Sequence, residues 1–442
     1  SKRSFIKIFR DNRMIEGILI GLNTALSLKN ILMVAMGCFF GTIIGMLPGL
    51  GPMTAIALMI PITYGFEPAT GLILMAGVYY GAVFGGSTSS ILINAPGVPG
   101  TVATAFDGYP MAQKGKAGKA LAIAAYSSFA GGTISAIFLL FAAPSLSKIS
   151  LSFRSPDYFA LMVLGLTAVS AFSSKGQFLK AMMMVILGLM LATVGQDSLS
   201  DITRFTFNNM NLTDGISFVL IVMATFAMSE ALTIILKGKD PSRATEQISL
   251  SELGSIKLDK DERKKMIKSI PRSSVLGFLI GVLPGAGATI ASFLAYGMER
   301  NFVNEEEKQK FGKGSVHGLT APETANNAAC SGSFVPLLTL GIPGSGTTAV
   351  MLGALLGFGI QPGPRLYMTN PEIFWSVIMS MYIGMVVLLI LNLPLIPYIA
   401  RVLATPKNFL IPLILFFSIT GIYLMSFNNF DIFLMIGIAV VA

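Results

Sequence analysis

The sequence predicts an all-α integral membrane protein of about 10–12 transmembrane helices in two inverted repeats, each holding broken or re-entrant hairpin helices. Three observations carry that reading. The chain has 442 residues, of which 53% are hydrophobic and only 12% charged, with a mean hydropathy of +0.72. Soluble globular domains carry about 25% charged residues; half that charge cannot coat a water-facing surface, whereas lipid can cover apolar faces. Apolar segments recur along the chain between short polar stretches. A Leu-Pro-Gly-x-Gly motif occurs twice, once in each half.

In chain order, residues 1–30 form a basic N-terminal segment and an amphipathic or first membrane helix near 14–28, with Glu16 and Asn23 off its apolar face. No A-x-A-like site closes a short apolar core there, so no cleavable signal peptide is read. The first repeat half occupies 31–236, with spans near 31–47, 70–93, 119–142, 157–172, 177–195 and 216–236. The longest polar stretch, 237–272, holds Arg263, Lys264, Lys265 and Lys268. The positive-inside rule makes it a cytoplasmic linker. The second half, 273–442, has spans near 273–298, 326–342, 347–360, 373–400, 409–426 and 430–442. Several are shorter than the roughly 20 residues that a spanning helix needs. Asp197, Asp201 and Asp214 against Arg204 place the 197–214 loop outside. The net charge of +9 is thus topological; basic and aromatic residues do not interleave, so no nucleic acid is expected. Cys38 and Cys330 read as small buried residues, and a single histidine, His317, cannot build a histidine metal cluster.

Two ordered motifs recur. Gly41–Ala57 reads GTIIGMLPGLGPMTAIA, and Gly277–Phe293 reads GFLIGVLPGAGATIASF. Gly86–Ala105, GSTSSILINAPGVPGTVATA, matches Cys330–Ala349, CSGSFVPLLTLGIPGSGTTA. That match pairs Ser87, Ser89, Pro99, Gly100 and Thr104 with Ser331, Ser333, Pro343, Gly344 and Thr348. The offset grows by eight between the two motifs, an insertion placed at the polar loop around Asn301–Lys313. Lys114, Lys116 and Lys119 follow the first unit, whereas one Arg and one Glu follow the second. The bias sets the two units on opposite sides, hence inverted.

Proline lacks the N–H a helix needs, and glycine takes backbone angles that other residues avoid. The motifs therefore break helices. In hydrocarbon, freed backbone groups are tolerated only inside protein or beside a cavity, so four breaks imply one shared polar cavity. Half-helix N-termini direct N–H groups at an anion, and exposed carbonyls suit Na⁺. The expected substrate site comprises the breaks at Pro48, Gly49, Gly51, Pro99, Gly100, Pro284, Gly285, Gly287, Pro343 and Gly344. Beside them lie Thr54, Ser87, Thr88, Ser89, Asn94, Thr101 and Thr104 in the first half. Thr289, Asn326, Asn327, Ser331, Ser333, Ser345, Thr347 and Thr348 serve the second. A coupling Na⁺ is placed near Gly49, Ser87, Asn94, Gly285, Asn327 and Ser331. No cofactor beyond a coupling cation, Na⁺ or H⁺, is expected. Any single Ser or Thr here also suits plain helix packing; recurrence in ordered pairs is what favours a cavity.

At these residues the sequence resembles a known family. GMLPGLGP at 45–52, PGVPGTVATAFDGYP at 96–110, APETANNA at 321–328 and PLLTLGIPGS at 336–345 are similar to the large membrane subunit of tripartite tricarboxylate transporters, the TctA type. The resemblance runs from about Thr24 to about Tyr398. It implies a multi-pass permease of the bacterial inner membrane, taking up carboxylates such as citrate on an ion gradient. It further implies a small membrane subunit (TctB type), a periplasmic solute-binding protein (TctC type) and an elevator-like motion.

Two lone carboxylates stand out. Glu230 lies in an apolar run, where it would carry a proton, pair with a cation or snorkel. Glu323 precedes a broken element and would cap it or hold a cation. Asp107 in FDGYP reads as a turn former. Two other functions compete. Paired re-entrant breaks also build channels. An intramembrane serine protease would use Ser87 or Ser331, but that chemistry needs a base, and His317 sits in a separate polar stretch. The expectation is a transporter, not an enzyme.

Overall fold

The computed structural model describes residues 12–47, 50–154, 156–157, 159–160, 163–164, 167, 178–197, 202–237, 254–399 and 410–442. In chain order the helices are α1 (Asn12–Ala25), α2 (Leu28–Met46), α3 (Gly51–Thr63), α4 (Pro68–Ile93), α5 (Val102–Met111), α6 (Ala117–Ser150), α7 (Phe178–Ala192), α8 (Phe218–Val222), α9 (Ser229–Lys237) and α10 (Lys260–Val282). They continue as α11 (Gly287–Phe302), α12 (Glu305–Lys308), α13 (Val316–Leu340), α14 (Gly346–Gly357), α15 (Leu366–Thr369), α16 (Pro371–Asn392), α17 (Ile396–Ile399), α18 (Leu410–Ser426) and α19 (Asn429–Val441). A 3₁₀ turn, Pro99–Thr101, leads into α5. Two short strands, β1 (Gly195–Gln196) and β2 (Thr203–Arg204), pair antiparallel. The protein is thus an all-α membrane protein. Among the described residues, four helical runs are long and apolar enough to cross a bilayer: Leu28–Met46, Pro68–Ile93, Pro99–Ser150 and Pro371–Asn392. The helices that follow the breaks, Gly51–Thr63 and Gly346–Gly357, are shorter.

The chain forms two compact units, residues 1–152 with 240–406, and residues 153–239 with 407–442. In the smaller unit, the helical run from α8 to α9 packs on α18 and α19, and Asn428 Nδ2 donates to Asn211 Oδ1 at 2.9 Å. The larger unit is built around α4 and α13. Ala69–Leu92 of α4 and His317–Thr339 of α13 are buried throughout. Gly, Ala, Ser and Thr on all sides of these helices allow that.

The packing is glycine on carbonyl. A Cβ added to Gly41 or Gly45 of α2 would lie 2.3 Å from Val78 O or 2.1 Å from Ala82 O of α4. On α10, a Cβ at Gly277 or Gly281 would lie 2.4 Å from Ala325 O or 2.3 Å from Ala329 O of α13. Small residues one turn apart let each backbone touch its neighbour. Both helices then stop alike. Leu47 (φ −78°, ψ 113°) and Leu283 (φ −76°, ψ 123°) turn extended, and their N–H groups bond Ile44 O and Ile280 O. Gly51 (φ +64°) and Gly287 (φ +61°) open the next helices in the left-handed region that favours glycine. Pro48 and Gly49 lie outside the described residues.

The second motif pair has a different register from the sequence match. Gly85 approaches Thr42 O as Gly332 approaches Phe278 O. Ser89 O accepts the N–H of left-handed Asn94 (φ 50°), and Pro336 O accepts that of left-handed Gly341 (φ 71°). Gly97 packs on Gly45 O, and Gly344 on Gly281 O. Pro96-Gly97, not Pro99-Gly100, is therefore the counterpart of Pro343-Gly344. The PGVPG stretch offers Pro-Gly twice, almost one helical turn apart, and pattern matching took the wrong copy. Helix α13 also starts earlier than the expected 326. Ser315 caps it, accepting from Gly318 N–H at 3.1 Å. Pro322 and Pro336 are carried within the helix, so proline did not mark a boundary there. Within the polar 301–313 stretch, burial opposes the charge on Glu307. Hydrogen bonds from Lys310 (2.7 Å) and Lys265 (3.1 Å) prevail and hold its carboxyl below the usual range.

Two predictions follow from this packing. Gly45→Val and Gly281→Val should each destabilise the protein by more than the ~1–3 kcal/mol of ordinary overpacking. Gly297→Ala, where an added Cβ meets nothing within 4 Å, should be neutral or slightly stabilising; thermal unfolding in detergent checks both. The register predicts that Gly97→Ala, whose Cβ would lie 1.9 Å from Gly45 O, is far more damaging than Gly100→Ala, whose Cβ meets a side-chain end, Asn326 Oδ1, at 2.6 Å. Equal melting temperatures for those two variants would contradict it.

Candidate substrate and ion site

Three helix N-termini come together in the larger unit. A Cβ on Gly346, the first residue of α14, would lie 2.7 Å from Met53 Sδ of α3. One on Gly287, the first residue of α11, would lie 3.8 Å from Ser345 Cβ. The starts of α3, α11 and α14 thus meet around Ser345. Gly285 N–H donates to Gly344 O at 3.2 Å and fastens the two second-half breaks to each other. Each helix start leaves N–H groups without intrahelical partners. In α14 a reciprocal cap uses part of that set: Thr348 N–H donates to Ser345 Oγ (3.2 Å) and Ser345 N–H to Thr348 Oγ1 (2.9 Å). The cap does not use the N–H groups of Gly346 and Thr347, which stand at the positive end of the helix. Tyr79 OH lies 3.3 Å from Ser345 Oγ and 3.5 Å from Ser333 Oγ, and Tyr80 OH lies 2.6 Å from Ser331 Oγ.

A fourth start, the Pro99–Thr101 turn into α5, lies against α11. Ser292 Oγ of α11 donates to Gly100 O at 2.6 Å. Thr101 Oγ1 accepts from Ser90 Oγ at 2.8 Å and donates to the carbonyls of Val98 and Gly86. Asn326 of α13 sits beside Gly100. Both polar atoms of its side chain, and Asn327 Oδ1, are buried without a hydrogen-bond partner among the described residues. Asn327 Nδ2 donates back to Glu323 O at 3.1 Å. A buried unpaired amide costs about 1–3 kcal/mol, which a bound ligand or water would recover.

Glu323 is the polar centre of the unit. It lies about two turns inside α13, fully buried, so it caps no helix. Its carboxylate accepts three hydroxyls: Ser87 of α4 and Ser128 of α6, each at 2.8 Å to Oε2, and Thr104 of α5 to Oε1. Asp107 is likewise no turn former. It lies within α5, fully buried, and accepts the N–H groups of Gly314 (2.8 Å) and Ser315 (2.7 Å) and the hydroxyl of Tyr296 (3.0 Å). It pins the loop before α13 onto α5.

The other expected residues scatter around this framework. Thr54 is buried in α3, Thr88 in α4 and Thr347 in α14. Thr289, Pro284 and Pro343 are half-buried, while Asn94 and Pro99 are exposed. Ser89 Oγ turns back to Gly86 O, and Ser333 Oγ to Cys330 O. Glu230 lies in α9; its side chain is outside the described residues. Sequence reasoning missed Tyr79, Tyr80, Ser128 and Gly97. For Ser128 a signal existed in SSFAGG at 127–132, because Gly131 packs on Thr324 O with only 2.3 Å of room for a Cβ. Gly131 marks the face of α6 that meets α13, and Ser128 lies one turn before it on that face.

Among the described residues, neither Ser87 nor Ser331 is hydrogen-bonded to a histidine. Ser87 and Ser331 bond Glu323 and Tyr80. His317 Nδ1 meets both Ser269 Oγ (2.7 Å) and Glu299 Oε1 (2.9 Å) through one nitrogen, with Arg272 on the same carboxylate at 2.7 Å. A catalytic relay needs the two ring nitrogens on different partners.

Comparison with known proteins agrees with this reading. A family profile described as "Tripartite tricarboxylate transporter TctA family" matches residues 31–442. An Agrobacterium vitis protein described as "Uncharacterized 52.8 kDa protein in TAR-I ttuC' 3'region" is 43% identical over 423 residues, 96% of this chain and 83% of that protein. A second A. vitis protein, described as "Uncharacterized protein in TAR-II ttuC' 3'region", is 44% identical over 160 residues, 36% of this chain and 65% of that protein. No solved structure shows significant similarity. The chain therefore belongs to the tripartite tricarboxylate transporter TctA family and is a multi-pass membrane subunit of a transporter.

Proposed function

We propose that this chain is the permease of a binding-protein-dependent secondary transporter for tricarboxylates such as citrate, in the inner membrane of a bacterium. The observation that carries the reading is the meeting of the α3, α11 and α14 N-termini at Ser345. Amide N–H groups and partial positive charge suit a carboxylate there. Nearby hydroxyls from Tyr79 and Ser345 add neutral donors, and the Asn326 amide, unpartnered among the described residues, offers another beside the fourth start at Gly100. An anion held this way binds without a salt bridge that would trap it. A cation gradient, Na⁺ or H⁺, drives accumulation. The partners are a TctB-type small membrane subunit and a TctC-type periplasmic binding protein. The two motif-bearing halves are related by inversion, and alternating access is elevator-like.

The test uses proteoliposomes holding the protein with its partner subunits and labelled citrate. Asn326→Ala and Ser345→Ala should each raise the half-saturation concentration about tenfold, the equivalent of roughly 1.4 kcal/mol. Wild-type half-saturation in both variants would rule out this placement. Citrate flux that rises linearly without saturation would favour a channel instead.

A further inference from the structure

We propose that a small cavity beside Glu323 is a binding site for a dehydrated monovalent cation, with Na⁺ as the probe. Among the described residues, every side-chain partner of the Glu323 carboxylate is a hydroxyl: Ser87, Thr104 and Ser128. A fully buried carboxylate without a counter-charge is costly, and neutral donors offset only part of that. The two hydroxyls that bond Glu323 Oε2, Ser87 and Ser128, both line the cavity and join it to the carboxylate behind them. Thr88 and Asn392 complete its polar wall, and Leu121 and Ala124 stand among its apolar lining. Its room for a water-sized occupant is about 10 Å³, close to a single water site.

Asn392 points independently to a ligand. It is the last residue of α16 and is 4% exposed. Its Nδ2 donates to Leu388 O at 2.9 Å, which leaves Oδ1 as the acceptor, buried and without a partner among the described residues. An unmet carbonyl oxygen in a cavity shared with three hydroxyls, two of them bonded to a buried carboxylate, is a hard-oxygen cation cage. One carboxylate matches one positive charge, which selects a monovalent over a divalent ion. On binding, the Ser87 and Ser128 hydroxyls turn lone pairs toward the ion, and Glu323 exchanges donated hydrogen bonds for a full charge. The site stands on this geometry; its role as the coupling site rests on the transport reading above.

The experiment is thermal unfolding of the purified chain in detergent, in NaCl against N-methyl-D-glucamine chloride at equal ionic strength, together with ²²Na⁺ binding. Wild type should show a saturable rise of a few degrees with Na⁺. Ser128→Ala and Asn392→Leu should weaken Na⁺ binding at least tenfold. Glu323→Gln should lose the Na⁺ response, yet melt no lower than wild type without Na⁺, because the uncompensated charge is gone. No Na⁺ response in wild type, or a full response retained in Glu323→Gln, overturns the site. Na⁺ binding with citrate uptake indifferent to Na⁺ would uphold the site and reject Na⁺ coupling.

Discussion

Backbone N–H and C=O groups inside a bilayer need partners within the protein or beside a cavity, and this chain breaks its helices next to close glycine contacts. The two Leu-Pro-Gly stops survive because the helices before them are clamped by glycine-on-carbonyl contacts. Gly41 and Gly45 rest on Val78 and Ala82, and Gly277 and Gly281 on Ala325 and Ala329. The ends of the breaks are tied as well, by Gly285 N–H to Gly344 O and by the Ser345–Thr348 cap. Only a backbone held this tightly can leave helix N-termini open toward a ligand without unravelling.

The same closeness explains where the polar groups go. Helix α13 is buried on all sides, so its polar residues turn to neighbouring helices or to its own backbone, or stay unsatisfied among the described residues. Glu323 gathers hydroxyls from all three helices, whereas Asn326 gathers none. Both conditions cost stability in a static protein. On the proposed reading, bound substrate and ion complete the site and recover that cost. Asp107 and the Glu299–Arg272–His317 cluster differ in kind. Their hydrogen bonds are met largely within the protein, and they hold the connection before α13 in place.

Membrane class and the break positions were legible in the sequence because they follow from composition and from what Pro and Gly do to a backbone. The breaks after Leu47 and Leu283 fall where Leu-Pro-Gly stands. The partnering of Glu323 was not legible. Ser87, Thr104 and Ser128 are far from it in sequence, and only helix packing brings them near. The register error at Pro99 has a similar origin. Two Pro-Gly pairs almost a turn apart look alike in a pattern, but only Gly97 meets the Gly45 carbonyl. The start of α13 was not legible because its first turns, HGLTAPETA at 317–325, are too polar to stand out as an apolar span, and only burial against α6 and α10 makes them helix interior.

The central claim is that helix N-termini meeting at Ser345 hold the substrate carboxylate. A structure of the protein bound to citrate tests it most directly. The account predicts a carboxylate oxygen within about 3 Å of the Gly346 or Thr347 N–H, with Asn326 newly hydrogen-bonded. Citrate bound elsewhere, with those amides facing only water, would contradict it.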